Sequence, residues 1–131
     1  MGQGQTRKKI TERIWKQLEE GLAEAKHSAA GAPPELSDRD FLEAVLYLVR
    51  VGCPWRDLPE ELGYWHAVYM RFRRWEERGV WSKLWKALQG EHFAQARDLF
   101  IDSTTVRAHQ HAAGAPKKTA ATRLWDALVA D

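Results

Sequence analysis

The sequence predicts a mainly α protein: a helical, helix-turn-helix-like unit followed by a single β-strand. Apolar residues recur at helical spacing in four separate stretches, and prolines and glycines punctuate the gaps. One short β-branched run, around Asp102, departs from the helical pattern. The chain has 131 residues, enough for one modest core or for a core and the start of a second.

Composition excludes more than it selects. No apolar run approaches the roughly 20 residues that span a bilayer, and Met1–Lys9 is polar with no apolar core of a secretory signal behind it. The single cysteine, Cys53, has no internal disulfide partner, which fits a reducing cytoplasm, and it reads as a small buried residue rather than a nucleophile. The net charge of +2 decides little, but its distribution is informative. Between Tyr64 and Gly90 six basic residues face two acidic ones, a local charge of +4, and four of the seven tryptophans share that window. Basic residues interleaved with aromatics suit a nucleic-acid surface, although large aromatics in a small domain also simply fill its core.

The elements follow in order. Thr11 to Lys26 reads as an amphipathic helix, with Ile14, Leu18 and Leu22 four apart and Trp15 beside them. His27 to Leu36, with Pro33-Pro34, reads as a linker. Ser37 is placed to cap a second helix, Asp40 supplies a capping-box-like carboxylate, and Gly52 ends the helix. Its broad stripe of Phe41, Leu42, Val45, Leu46 and Val49 predicts a buried scaffold. From Cys53 to Gly63, two prolines permit only a tight turn and a short helix near Leu58–Leu62 with Asp57 as its cap. Gly63 offers the positive φ of a sharp change in direction.

The third helix, Trp65 to Arg78, joins Trp65, Val68, Tyr69, Phe72 and Trp75 in one apolar face. Arg71, Arg74 and Arg78 lie at i, i+3 and i+7 on another, with Arg73 nearby. Like charges so spaced cost a few tenths of a kcal/mol per pair, which is easier to understand if an anion sits against them. A short helix, a glycine turn and a basic helix form a helix-turn-helix pattern whose second helix enters the major groove. After Gly79 a fourth helix carries Trp81, Leu84, Trp85 and Leu88 and stops at Gly90. Asp98 to Val106 then predicts a buried strand, Ala112 to Lys118 a loop, and Leu124, Trp125, Leu128 and Val129 a short amphipathic tail.

Chemistry could gather at Asp102. A carboxylate at the end of an apolar strand is costly to bury unless it is paired or holds a metal, but a strand-end Asp capping the next turn fits the spacing equally. Phosphoryl-transfer sites with two metals need further carboxylates, and only Asp126 and Asp131 follow. His109-Gln110-His111 lacks the additional ligands of a zinc site; Arg107 and His109 can instead face a phosphate.

Three blocks carry a resemblance: Val51-Gly52-Cys53-Pro54-Trp55-Arg56-Asp57-Leu58-Pro59, then Trp65 through Trp75, then Gly79-Val80-Trp81. They resemble bacterial insertion-sequence transposases of the insertion-sequence-five group. Phe100-Ile101-Asp102-Ser103-Thr104-Thr105-Val106-Arg107-Ala108-His109-Gln110-His111-Ala112-Ala113-Gly114-Ala115 is similar to the first catalytic strand of the same proteins, so the likeness covers roughly residues 38 to 118. The resemblance implies a helical domain that binds terminal inverted repeats, followed by a ribonuclease-H-like catalytic domain of the DDE type. That domain would start with the lone strand and use Mg²⁺ when complete; no cofactor is expected in this chain alone. Asp102 falls on the first catalytic, metal-ligating Asp, while the second Asp and the Glu match nothing here. Residues 25–36 lack the basic Gly-Arg-Pro-like run of the family, and the similarity ends after Lys118, as a reading-frame change would produce.

The expected organisation is an amino-terminal helix and linker (1–36), the helix-turn-helix-like domain (37–90), the first strand and loop of a truncated catalytic domain (97–118) and a non-matching tail (119–131). The candidate DNA-binding residues are Arg56, Trp65, His66, Arg71 and Arg73, joined by Arg74, Arg78, Arg107 and His109. Expected partners are double-stranded DNA of the terminal repeats, a second polypeptide carrying the rest of the catalytic domain, and a second copy of the chain; no membrane partner is expected. Three readings remain open: a DNA-binding upstream portion, half of a split Mg²⁺-dependent transposase, and a decayed remnant.

Overall fold

The computed structural model describes residues 8–26, 36–112 and 120–129, with residues 105–112, 121 and 129 by backbone alone. The linker at 27–35, the loop at 113–118 and the side chains of Arg107 and His109 lie outside the described residues. Six α-helices are present among the described residues: α1 (Glu12–Ala25), α2 (Asp38–Val51), α3 (Trp65–Arg78), α4 (Val80–Ala87), α5 (Ala94–Ala112) and α6 (Ala120–Val129). Single 3₁₀ turns sit at Trp55–Asp57, Glu60–Leu62 and Glu91–Phe93.

The caps arise as the sequence dictates. The Thr11 hydroxyl accepts the Ile14 N–H at 3.2 Å and opens α1. The Ser37 hydroxyl accepts the Asp40 N–H at 3.1 Å and opens α2. Gly52, Gly63 and Gly79 all take positive φ, and Gly79, at 73°, lets α4 start directly where α3 stops. In the core, α1 packs on α4, α5 crosses α1 and α2, and α6 closes over α4 and α5. Gly21 permits the close approach of α1 to α4, since a Cβ there would stand 3.0 Å from a Leu84 methyl.

Helix α2 is the scaffold. All nine residues from Phe41 to Val49 are buried, so it is enclosed on every side. One of them is charged: Glu43, only 2% exposed. Its two carboxylate oxygens accept the backbone N–H groups of Lys9 and Ile10, each at 2.9 Å, which satisfies the buried charge and fixes the chain ahead of α1. Phe41, Phe72, Trp75 and Trp81 then form an aromatic cluster between α2, α3 and α4. Ring centroids are 4.9 Å apart for Phe41–Trp75 and Trp75–Trp81 and 5.1 Å for Phe72–Trp81. Within it the Trp81 indole N–H donates to the Phe72 carbonyl at 3.3 Å.

Two expectations are corrected. The first helix of the helix-turn-helix pattern, expected near Leu58–Leu62, is one 3₁₀ turn at Glu60–Leu62, and Asp57 lies in a separate turn rather than at a cap. Pro59 and the positive-φ Gly63 bound the stretch and leave only three residues between them, too little chain for a full α-helical turn. The strand expected at Asp98–Val106 is instead helical, within α5, and no strand occurs among the described residues. A lone strand leaves its backbone groups unpaired, whereas a helix satisfies its own. The buried set Ala96, Phe100, Ser103 and Thr104 has helical spacing, and the Thr104 hydroxyl donates to the Phe100 carbonyl one turn back at 2.7 Å.

The Ser103 hydroxyl, 2% exposed, has no hydrogen-bond partner among the described residues. Ser103→Ala removes that burden and improves helix propensity, so it should stabilise the fold by about 1 kcal/mol. Urea unfolding checks this, and a loss of stability would contradict the helical packing of α5.

Candidate nucleic-acid interface

Helix α3 buries Val68, Phe72 and Trp75 and turns the opposite side to solvent. At 3.6 residues per turn, His66, Ala67, Met70, Arg74, Glu77 and Arg78 share that exposed side. Met70, 40% exposed, was missed in the sequence, because it reads as one more apolar residue beside an apolar stripe. At the amino-terminal end, the Arg56 guanidinium lies over the Trp65 ring at 5.2 Å and the His66 ring stands at the edge of Trp65, centroids 5.3 Å apart. Tyr64, 67% exposed, extends this cluster and was also not singled out; its place just after the Gly63 turn and ahead of the apolar register is the signal that could have found it.

The predicted arginine stripe does not act as one unit. Arg71 is turned inward, with only 12% of its side chain exposed. It pairs with Asp38 at 3.1 Å, donates to the Leu36 carbonyl at 2.6 Å and lies over Phe41 at 4.9 Å. Burial lowers its pKa, opposed by Asp38 and reinforced by the charge of Arg74. Arg73 donates to the Tyr69 hydroxyl at 3.4 Å and stands 3.5 Å from Glu77. Hydrogen bonds from Arg73 and then Arg123 lower the Tyr69 pKa. Arg123, from α6, pairs with Glu76 at 2.8 Å, so both acids of α3 are already matched by cations. Arg74 and Arg78 are exposed and have no ion-pair partner among the described residues. Lys83 and Lys86 extend the positive surface along α4.

Asp102 is exposed on α5, with Asp98 one helical turn before it. No group of three or more His, Cys, Asp or Glu side chains that could hold a metal occurs among the described residues. The described side chains therefore do not by themselves fit Mg²⁺. Burial, followed by the charge of Asp57, raises the Cys53 pKa, the opposite of what a reactive thiolate requires. No helix is long and apolar enough to cross a membrane among the described residues.

Residues 10–85, more than half of the chain, match the family model described as "Putative transposase of IS4/5 family". The chain belongs to this family. The matched residues include all of α3 and exclude Asp102. The chain is also similar to "Uncharacterized protein y4sN" of Sinorhizobium fredii (strain NBRC 101917 / NGR234), 51% identical over 82 residues, which cover 63% of this chain. It spans 64% of the length of that relative, just under two thirds. The "Insertion element IS402 uncharacterized 16.2 kDa protein" of Burkholderia cepacia is 32% identical over 107 residues, 76% of this chain and 73% of that protein. No solved structure matches the chain.

In this IS4/5-family chain the arginines of α3 separate by what they touch. Arg71→Ala removes the donor to the Leu36 carbonyl and one of the two cations on Asp38, leaving Lys26 at 2.8 Å as the other, and should destabilise the fold by about 1–2 kcal/mol. Arg74→Ala and Arg78→Ala should each stay within about 0.5 kcal/mol of the unmodified chain. Chemical denaturation of the three variants checks the division; equal losses for all three would refute it.

Proposed function

We propose that this IS4/5-family chain binds double-stranded DNA at the ends of an insertion element, with the exposed side of α3 in the major groove. The observation that carries the reading is the sidedness of α3. One side is locked into the aromatic core, and the other presents His66, Met70, Arg74 and Arg78 to solvent while Glu76 and Glu77 are matched by Arg73 and Arg123. A major groove about 12 Å wide admits one α-helix. The uncharged leading turns of α3 then meet base edges, and the arginines of its last turns meet phosphates. The segment from Gly52 to Tyr64 serves as the turn of a helix-turn-helix-like arrangement whose preceding helix is α2. The Arg56 guanidinium, held over the Trp65 ring at 5.2 Å, supports a contact at the groove edge beside the start of α3. Arg107 and His109, similar to residues that follow the family's first catalytic Asp, extend the proposed contacts beyond the described side chains. For Asp102 the proposal is limited to its match with the first carboxylate of a DDE site, in which it would act only alongside carboxylates from outside the described residues.

Gel-shift titration against a duplex carrying the inverted repeats that bracket the gene tests the reading. If four or five phosphates are neutralised, log K should fall against log salt with a slope of roughly −4. Arg74→Ala or Arg78→Ala should each reduce that slope by about 1 and weaken binding to all duplexes alike. His66→Ala or Met70→Ala should narrow the preference for the repeat over shuffled DNA. Equal affinity of the unmodified chain for repeat and shuffled duplexes would defeat specific recognition.

A further inference from the structure

Two large apolar side chains stand in solvent at the leading end of α3. Among the described residues, Tyr64, Met70 and Ile101 are the exposed large hydrophobics, and the first two belong to the cap and opening turns of this helix. Their positions are tied to its exposed side. The Tyr64 ring lies 6.1 Å from the His66 ring and 6.3 Å from that of Trp65. His66 and Met70, four residues apart, lie one above the other on the exposed side. A single exposed apolar side chain is ordinary, but Tyr64, His66 and Met70 follow one another as a strip.

The strip carries no fixed charge, and cations bound it. Tyr64 through Met70 includes no Lys, Arg, Asp or Glu. At its start the Arg56 guanidinium lies over the Trp65 ring at 5.2 Å, and one turn beyond Met70 stands the exposed Arg74. An uncharged centre between cations is complementary to a duplex groove, where phosphates form the edges and bases the floor. Tyr64 and Met70 lack the paired donors and acceptors that read guanine or adenine through two hydrogen bonds. The apolar group that the major groove offers is the 5-methyl of thymine.

We propose that Tyr64 and Met70 recognise thymine methyl groups in the duplex held by α3. The inference rests on the α3 reading and names the chemical group that its leading turns select. Six residues at about 1.5 Å each put the two positions about 9 Å apart along the helix. At about 3.4 Å per base step, the thymines concerned lie within about three base pairs of each other.

The test replaces each thymine of the inverted-repeat duplex with deoxyuridine, one at a time, and measures the affinity of the full chain. Removing the methyl should weaken binding about fourfold at the contacted positions, the worth of one buried methyl group. Tyr64→Ala should bind thymine and uracil equally at one of these positions, and Met70→Ala at another within about three base pairs. Tyr64→Phe should keep the discrimination. All three variants should retain the salt slope and the far-ultraviolet circular dichroism of the unmodified chain, because neither side chain meets a phosphate or the core. A preference for the repeat that no deoxyuridine weakens overturns the methyl contacts and spares α3. Penalties that persist in both alanine variants do the same. Discrimination lost in Tyr64→Phe overturns the role of the Tyr64 ring, since its hydroxyl would then be the group that binds. Equal affinity of the unmodified chain for repeat and shuffled duplexes overturns both readings.

Discussion

The packing of Phe41, Phe72, Trp75 and Trp81 fixes the roll of α3 about its own axis, and the exposed surface follows from that roll. Each edge-on or tilted aromatic pair contributes about 0.5–1.5 kcal/mol beyond the area it buries. Crowding like charges on the other side of the helix costs only a few tenths of a kcal/mol per pair. The apolar side therefore sets the orientation, and the charged side accepts what results. The centroid distances of 4.9 to 6.0 Å in this cluster tie α3 to both α2 and α4, so no single helix can rotate independently. A surface positioned in this way is already in shape before a partner arrives, and binding then carries little ordering cost.

The same constraint explains why four arginines in eight residues do different work. Arg71 lies on the flank of α3 nearest α2, where the first-turn carboxylate of Asp38 and the Leu36 carbonyl await it. Arg74 and Arg78 occur three and seven residues on, which carries them around to solvent. Arg73 lies at the rim and is held by the Tyr69 hydroxyl and Glu77. Counting charge along the sequence gives a strip of equal cations. Allocating partners leaves two of them available to an anion and one, Arg71, built into the fold.

Local signals were legible in the sequence wherever one or two neighbouring residues decide the outcome. The Ser37 cap, the Gly52 and Gly79 stops, the enclosed stripe of α2 and the apolar face of α3 all follow from spacing and side-chain type. Arg71 was not legible as a structural residue, because its partner lies 33 positions away and nothing local marks it. The turn between α2 and α3 was half legible: Pro54 and Pro59 announced the interruption, but the length of helix that could form before Gly63 depended on geometry. In α5 the buried positions include Ala96, Ser103 and Thr104, which carry almost no apolar signal, while Ile101, Thr105 and Val106 carry a strong β signal. The stretch therefore reads as a strand until its surroundings are known.

That misreading bears on Asp102. Ile101, Thr104, Thr105 and Val106 together disfavour a helix by roughly 2 kcal/mol. Burial of Phe100 returns about 2–3 kcal/mol, and the helix satisfies its own backbone. The two conformations are thus close in local preference, and packing decides between them. A β-strand at this position needs neighbouring strands on at least one edge to take up its N–H and C=O groups. A site that used Asp102 on a strand would therefore have to bring a sheet with it, and that sheet would have to outcompete the contacts Phe100 and Thr104 make in α5. The exposed side of α3 has no such requirement, because the contacts that orient it are made among the described residues.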